Sequence, residues 1–200
     1  DAYGLMISSI LDGNPVAYLI PKALSFCPSE LLDGEPDDLK KRINAPVDGR
    51  SNWTPGWPAC DPFAIPLGKL RIRTAGDTLT LASYGRMIQV IEKALQKIPA
   101  HRVVGRVELL DLRTLVPFDL EGIVSSVRKT GRLLIVNEDS EQTNFGEHLL
   151  RKVRETAPPH VAALLAARHL PGIGLSRQLE DYTVPTVEQV QRQIEKMLPA

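Results

Sequence analysis

The side chains with chemistry in them are few and scattered. Glu138, Asp139 and Glu141 cluster directly after an apolar run, a grouping that suits general acid and base work or a divalent cation. Acids at a strand end also serve the next helix: Thr143 or Asn144 is placed to cap one, with Glu147 near its positive end. His169 falls where a strand delivers its last residues to the carboxyl edge of a sheet, the usual ligand position in open α/β sheets. The other histidines give no metal-ligand spacing: His148 lies on a helix, and His101 and His160 sit close to prolines in connections. Gly172-Ile-Gly174 would let a ligand approach the backbone, but a bare Gly-x-Gly reads first as a turn. A nucleophile elbow, a phosphate loop and a dinucleotide fingerprint are all absent. From the residues alone, this is an α/β module without a self-contained active site.

Those side chains hang on strands alternating with helices from Pro66 onward, which predicts three layers around a mostly parallel sheet. Leu67–Arg73 and Leu79–Ser83, joined through Thr74-Ala-Gly-Asp77, read as a hairpin whose second strand runs inward. Met87, Ile91, Ala94, Leu95 and Ile98 make one helical face, and Val107–Leu110 is a buried-strand run. Asp119 caps a helix with Leu120, Ile123, Val124 and Val127 inward, Phe118 and Ile123 are spaced as a hydrophobic staple, and Gly131 ends it. Leu133–Val136 is a strand, Leu149, Leu150 and Val153 mark a helix, and Val161–Leu165 is a further strand. Thr186-Val-Glu-Gln189 is a capping box opening a helix with Val187, Val190, Ile194 and Leu198 inward.

Upstream, Pro21, Pro28, Pro36, Pro46, Pro55, Pro58, Pro62 and Pro66 mark a linker poor in regular structure. Within it, Asp33–Arg42 reads as a short solvated helix, and Trp53 and Trp57 flank a turn at Pro55-Gly56. Before it, Ala2–Ile10 reads as a helix with Gly13 as the left-handed stop, then Val16–Ile20 as a short buried strand. One helix and one strand enclose no core, and the chain starts with Asp, so the expectation is the tail of a preceding domain and a fragment of something longer. With 43% apolar and 24% charged residues the composition excludes disorder and collagen-like repeats. Lys plus Arg equals Asp plus Glu at 24 each, so no charge excess points to nucleic acid or an anionic membrane. No apolar run reaches the roughly 18 residues of a spanning helix. Two cysteines, Cys27 and Cys60, read as free thiols, and with no signal-like segment the expected location is cytoplasmic.

A longer pattern joins these pieces. Asp111-Leu-Arg-Thr-Leu-Val-Pro-Phe-Asp119, Ile123, Ser126-Val127, Lys129-Thr-Gly-Arg132 and Val136-Asn-Glu138 resemble the beta subunit of the thiamine diphosphate-dependent 2-oxoacid dehydrogenase decarboxylating component, of pyruvate or branched-chain type. Asp1-Ala-Tyr-Gly4, Asn14-Pro-Val16, Ile65-Pro-Leu-Gly-Lys69, Tyr84-Gly85, Phe145-Gly146, Leu179-Glu-Asp-Tyr182 and Val184-Pro185 continue the match in order.

The resemblance implies a three-layer α/β/α transketolase C-terminal-like domain at 66–200, with a mostly parallel sheet. It implies a proline-rich linker at 27–65 and, at 1–26, the last helix and strand of a pyrimidine-binding domain. It places thiamine diphosphate and magnesium in the intact enzyme but not on this fragment, because the cofactor-activating glutamate and the diphosphate site belong to earlier sequence and to an alpha subunit or the alpha part of a fusion. The cofactor carries the carbon chemistry while protein supplies orientation and electrostatics, so the fragment is expected to be inactive alone and to serve assembly. Its implied partners are the alpha part, a second beta copy and a lipoyl acyltransferase core, with no nucleic acid and no membrane. Asp111, Arg113, Asp119, Glu138, Phe145, Gly146 and His169 are expected at interfaces or structural turns. Some relatives hold potassium on main-chain oxygens at the segment matching Ser9, Ile10, Asp12 and Asn14, and final helix carbonyls suit such an ion. The family's usual Asp-x-Pro-x-Pro gives way here to His169-Leu-Pro171-Gly-Ile-Gly174, which leaves the oxoacid open. Two rivals remain: a non-catalytic assembly module, and the C-terminal domain of another transketolase-like enzyme such as deoxyxylulose-phosphate synthase.

Overall fold

The structure, a computed structural model, describes residues 1–21, 63–170, 172 and 174–199. It comprises two compact units, Asp1–Ile65 and Pro66–Ala200. Cys27, Cys60, the Asp33–Arg42 segment and the Trp53/Trp57 turn lie outside the described residues.

In the first unit, helix α1 (Ala2–Leu11) packs on the segment that ends at Ile65. A Cβ on Gly4 would lie 2.7 Å from Phe63 Cε2 and from Ile65 Cγ1, so only glycine admits this approach. Ser8 Oγ donates to Ile65 O, and Tyr3 tilts against Phe63 at 5.3 Å. Two expectations are corrected. The helix stops on Asp12 in extended conformation (φ −69, ψ 137), and Gly13 is not left-handed. Asp12 Oδ1 accepts the Asn14 N–H at 2.8 Å, a local turn that needs no left-handed residue. Val16–Ile20 is not a strand and is mostly exposed. A strand takes its backbone bonds from a neighbour, and no described segment pairs with it.

The second unit is built on a five-stranded sheet ordered β1-β3-β2-β4-β5. The strands are β1 (Arg71–Thr74), β2 (Gly76–Ser83), β3 (Gly105–Asp111), β4 (Arg132–Ser140) and β5 (Val161–Ala167). All neighbours are parallel except β1, which runs antiparallel to β3. The expected β1–β2 hairpin is thereby corrected: β3 lies between the two. Burial explains the arrangement. Leu79 through Ser83 is buried on both faces, which demands a central strand covered by helices, whereas alternating β1, with Ile72 55% exposed, suits an edge. Gly76 locks the central pair, since a Cβ there would sit 2.4 Å from the Val107 carbonyl carbon.

Helices cover both faces. Leu79, Leu81, Leu109, Leu134 and Val136 meet α2 (Arg86–Lys97) through Met87 and Ile91 and α7 (Val187–Met197) through Val190 and Ile194. Ala82, Leu110, Leu133 and Ile135 meet α4 (Leu120–Thr130) through Ile123 and Val127 and α5 (Phe145–Thr156) through Leu149 and Val153. Each fully buried Leu or Ile contributes about 1.5–3 kcal/mol. Short helices α3 (Ala100–Val103) and α6 (Arg177–Thr183) complete the connections. The caps form where expected: Asp119 accepts the Gly122 N–H, Gly131 stops α4 at φ 66, and the Thr186/Gln189 capping box closes. Phe118 and Ile123, the expected staple, join one apolar cluster. No helix among the described residues is long and apolar enough to cross a membrane.

One polar group interrupts the α4 face. Glu108, 3% exposed, lies inside the apolar run of β3. Ser126 Oγ donates to its Oε2, and Lys129 Nζ donates to Oε1 at 2.6 Å. Thr80 Oγ1 bonds Ser126 Oγ at 2.7 Å and Thr130 Oγ1 at 2.8 Å, which fixes the register of α4 over two strands. Removing the cation should leave Glu108 short of a partner. Lys129→Met is expected to lower stability by about 1–3 kcal/mol, and adding Glu108→Gln to it should recover part of the loss, both read from urea midpoints at unchanged slope.

Candidate functional site

The parallel strands reverse their order at β2. Its connection leads through α2 to β3 on one side, and β4, on the other side, connects through α5 to β5. Adjacent connections that leave the carboxyl edge in opposite directions open a crevice between β2 and β4.

Its walls follow from the strand ends. Ser83 Oγ donates to Val136 O at 2.6 Å and laces the two strands. Tyr84 follows, then Gly85 at φ 60, ψ −140, a conformation that L side chains rarely adopt and that turns the chain into α2. The Tyr84 ring meets Phe145 edge-on at 5.9 Å, Phe118 meets Phe145 at 5.5 Å, and exposed His148 packs on both phenylalanines. Burial, and then the Asp139 and Glu138 carboxylates, raise the Tyr84 hydroxyl above its ordinary value, so Tyr84 stays protonated and available as a donor.

The floor is polar. Asn144 caps α5: its Oδ1 accepts the Glu147 N–H at 2.9 Å and its Nδ2 donates to Ser140 O at 2.6 Å. Because those bonds set which end of Asn144 is oxygen, the group of Asn137 that meets this Oδ1 at 3.2 Å must be its Nδ2. Asn137 Oδ1 is left buried without a donor among the described residues. An unmade bond of this kind costs about 1–3 kcal/mol. Gly146 makes room for the amide, since a Cβ there would lie 2.5 Å from Asn137 Nδ2 and 2.7 Å from Leu164 Cδ1. Thr143, the other expected cap, instead takes φ 58 and donates its N–H to Glu147 Oε2.

The three acids separate. Asp139 Oδ1 accepts the Ser140 N–H, and Glu141 Oε1 accepts the His169 N–H at 3.4 Å. Glu138 is exposed and has no hydrogen bond or ion pair among the described residues. No group of three metal-ligating side chains exists among the described residues, so the acids form no divalent-cation cage there. His169 stands just past β5 with Nδ1 3.2 Å from Ser140 Oγ, outside the aromatic crevice. Gly174 packs on Leu179 of its own chain, while Ile173 lies outside the described residues.

At the carboxyl end of β3 a second group forms. Arg113 Nη2 donates to Lys69 O at 2.8 Å and to Leu70 O at 3.2 Å, while Asp119 Oδ2 accepts the Leu70 N–H at 3.3 Å. Arg113 sits at φ 56, a costly backbone that its guanidinium bonds hold. Asp111 Oδ1 accepts the Arg113 N–H. Burial raises the Asp111 acid and lowers Arg113, so desolvation outweighs their mutual attraction. Arg113 and Asp119 tie down the stretch before β1, and Asp111 braces the backbone at Arg113. In the first unit, Ser9 Oγ donates to Leu5 O, and both Asn14 N and Nδ2 donate to Asp12 Oδ1, holding that exposed acid below its ordinary value.

Residues 68–190 match the family described as transketolase, C-terminal domain. The chain belongs to that family. The transketolase C-terminal domain and the residues before it are similar to the pyruvate dehydrogenase E1 component subunit beta of Rhizobium meliloti, 31% identical over 95% of this chain and 36% of that protein. The 2-oxoisovalerate dehydrogenase subunit beta of Pseudomonas aeruginosa is 35% identical over 82% of this chain and 42% of its own length. The pyruvate dehydrogenase E1 component subunit beta of Acholeplasma laidlawii is 28% identical over 100% of this chain and 53% of its own. The chain thus spans 36–53% of the length of these relatives. A split gene transketolase, an inactive beta4 tetramer, shares the fold at TM-score 0.60 and 20% identity over 73% of this chain and 48% of that one.

Within this transketolase C-terminal domain, sequence reasoning missed the Asn137–Asn144 pair and the aromatic group around Phe145. The available signal was an Asn closing an otherwise apolar strand. Gly146→Ala is expected to cost about 1–3 kcal/mol by overpacking, measured by urea unfolding. For Asp111 the raised acid means that the native state keeps its proton above the ordinary 3.8, so its contribution falls as pH rises through and beyond that value. Asp111→Asn should therefore gain on the parent chain as pH rises above the ordinary 3.8, read as the difference in urea midpoints.

Proposed function

We propose that this chain is the C-terminal part of the beta subunit of a thiamine diphosphate-dependent 2-oxoacid dehydrogenase, in which it assembles and supports the decarboxylating component. The observation that carries the reading is the similarity to pyruvate and 2-oxoisovalerate dehydrogenase beta subunits, which for the Rhizobium meliloti pyruvate-type relative extends over 95% of this chain and so includes both compact units. The structure is consistent with a supporting role: both faces of the sheet are filled by apolar side chains, and the charged groups at the β3 end are spent on the chain's own backbone.

In this reading the intact enzyme decarboxylates a 2-oxoacid and passes the acyl group to a lipoyl carrier. Bound thiamine diphosphate, with magnesium, supplies the electron sink for decarboxylation. Nothing among the described residues fits the diphosphate-bound metal, since no three-ligand cluster occurs there. That site is assigned to the alpha subunit, or to the alpha part of a fusion, and to upstream beta sequence. Potassium is a better fit to the donors at hand: the last carbonyls of α1 at Ser9 and Ile10 and the Asp12-Gly-Asn14 turn offer oxygen only. A second beta copy and the acyltransferase core complete the proposed partners, in the cytoplasm.

The test is reconstitution. The chain alone should not turn over pyruvate or branched-chain oxoacids, with or without thiamine diphosphate. Joined to its upstream beta sequence and mixed with an alpha partner, it should give cofactor-dependent release of carbon dioxide from one of them. Failure of every oxoacid in the complete assembly, or turnover by the isolated chain, would overturn the proposal.

A further inference from the structure

A cavity of about 490 Å³ opens between α2 and the turn that joins α6 to α7. Its α2 wall follows from residue spacing: Arg86, Val90, Lys93 and Lys97 recur at i, i+4, i+7 and i+11, one stripe of a helix. The opposite wall is Val184 and Pro185, where α6 ends, and Val187 at the start of α7. Val90 and Val187 pack on the core cluster beneath, Pro185 is buried and Val184 half-buried, so the floor is apolar.

Charge is distributed unevenly over this floor. Arg86 Nη1 lies 3.8 Å from Glu180 Oε1, and Lys97 Nζ donates to Glu188 Oε1 at 2.7 Å, so one ion pair joins the walls near each end. The Lys97 bond holds the Glu188 carboxyl below its ordinary value. Asp181, the other acid of the lining, is partnered as well. Lys93 differs: its exposed ammonium has no hydrogen bond or ion pair among the described residues, and neither does the neighbouring Gln96 amide. Along the helix axis Lys93 stands about 6 Å from Lys97 and about 10 Å from Arg86.

The two crossings select the occupant. A peptide running lengthwise would meet an ion pair at either end, whereas the space between them is a trough in the size range of small-molecule sites. One unanswered positive charge calls for one negative charge. A cation finds only acids that are already engaged. The apolar floor beside that charge calls for hydrocarbon, and the longer free stretch runs from Lys93 toward Arg86. An ammonium is a point charge that imposes no fork geometry, so a carboxylate serves as its counter-ion without further donors.

We propose that this trough binds a monoanion with a single apolar chain, of the medium-chain carboxylate type. Its head lies on Lys93 Nζ with the Gln96 amide as a second donor, and its chain lies over Val90, Val184, Pro185 and Val187. This inference does not rest on the dehydrogenase reading.

The test titrates the full chain, observed by valine-methyl NMR, with octanoate below its micelle concentration and with octylamine, octan-1-ol and butanoate as controls. The expected result is a saturable shift of the Val90, Val184 and Val187 methyl groups with octanoate, and binding of each control at least roughly tenfold weaker. Lys93→Gln, an exposed change that touches neither ion pair, should keep the parent's urea midpoint and weaken octanoate by roughly tenfold or more. The proposal is overturned if octanoate gives no saturable shift, or if Lys93→Gln titrates like the parent. Equal binding of octan-1-ol would reduce the site to a bare apolar surface, equal binding of octylamine would assign it to the acids, and equal binding of butanoate would remove the role of the floor; each overturns it too. Because no step involves thiamine diphosphate or an oxoacid, its failure leaves the proposed dehydrogenase role standing, and the reverse holds too.

Discussion

The carboxyl edge of the sheet is organised by one amide that answers to three segments at once. Asn144 accepts the Glu147 N–H and so starts α5, donates to Ser140 O and so fixes the end of β4, and accepts from Asn137 in the strand itself. Each bond alone contributes on the order of 1 kcal/mol. Together they decide the direction in which every polar atom beside them points, because an amide has one donor end and one acceptor end. Gly146 is the steric counterpart: α5 can approach β4 this closely only where no Cβ intervenes. The aromatic group of Phe145, Phe118 and Tyr84 then rests on a helix start whose position is already determined.

Away from that edge the domain follows from covering a doubly apolar sheet. Central strands buried on both faces need helices on both sides, and α2 with α7 on one side and α4 with α5 on the other supply them. The exception is informative. Glu108 sits within this apolar environment because Ser126 and Lys129 meet its two oxygens, and the chain to Thr80 and Thr130 spreads the polarity across two strands. A buried network of this kind selects one register of α4 more sharply than apolar contact does.

The distribution of charged groups bears on function. At the end of β3 the guanidinium and carboxylates of Arg113 and Asp119 are turned inward onto the backbone at Lys69 and Leu70. At the end of β4 the acids remain outward, next to a protonated phenol. The β3 end of the carboxyl edge is therefore closed by its own chain, whereas the β4 end keeps its acids at the surface.

Much of this could be read from residue order. The helices with clean 3.6-residue stripes, the caps at Asp119, Gly131 and Thr186, and the strands at Leu79, Val107, Leu133 and Val161 depend on local spacing and local hydrogen bonds. The family was likewise written in short motifs. What required the tertiary structure involved groups distant in sequence. The β1–β2 hairpin gave way because a both-face-buried strand must be central, and two strands joined by a short link need not be partners once a third competes for the edge between them. Val16–Ile20 had the right residues and no pairing strand among the described residues. The pairing of Glu108 with Ser126, and the acceptor left over on Asn137, follow from which side chains meet across the layers. Sequence by itself determined which segments coil, where they begin and which side they bury, since those depend on neighbours a few residues away. Strand order and the identity of buried polar partners were decided only by folding, because they depend on distances that no local pattern encodes.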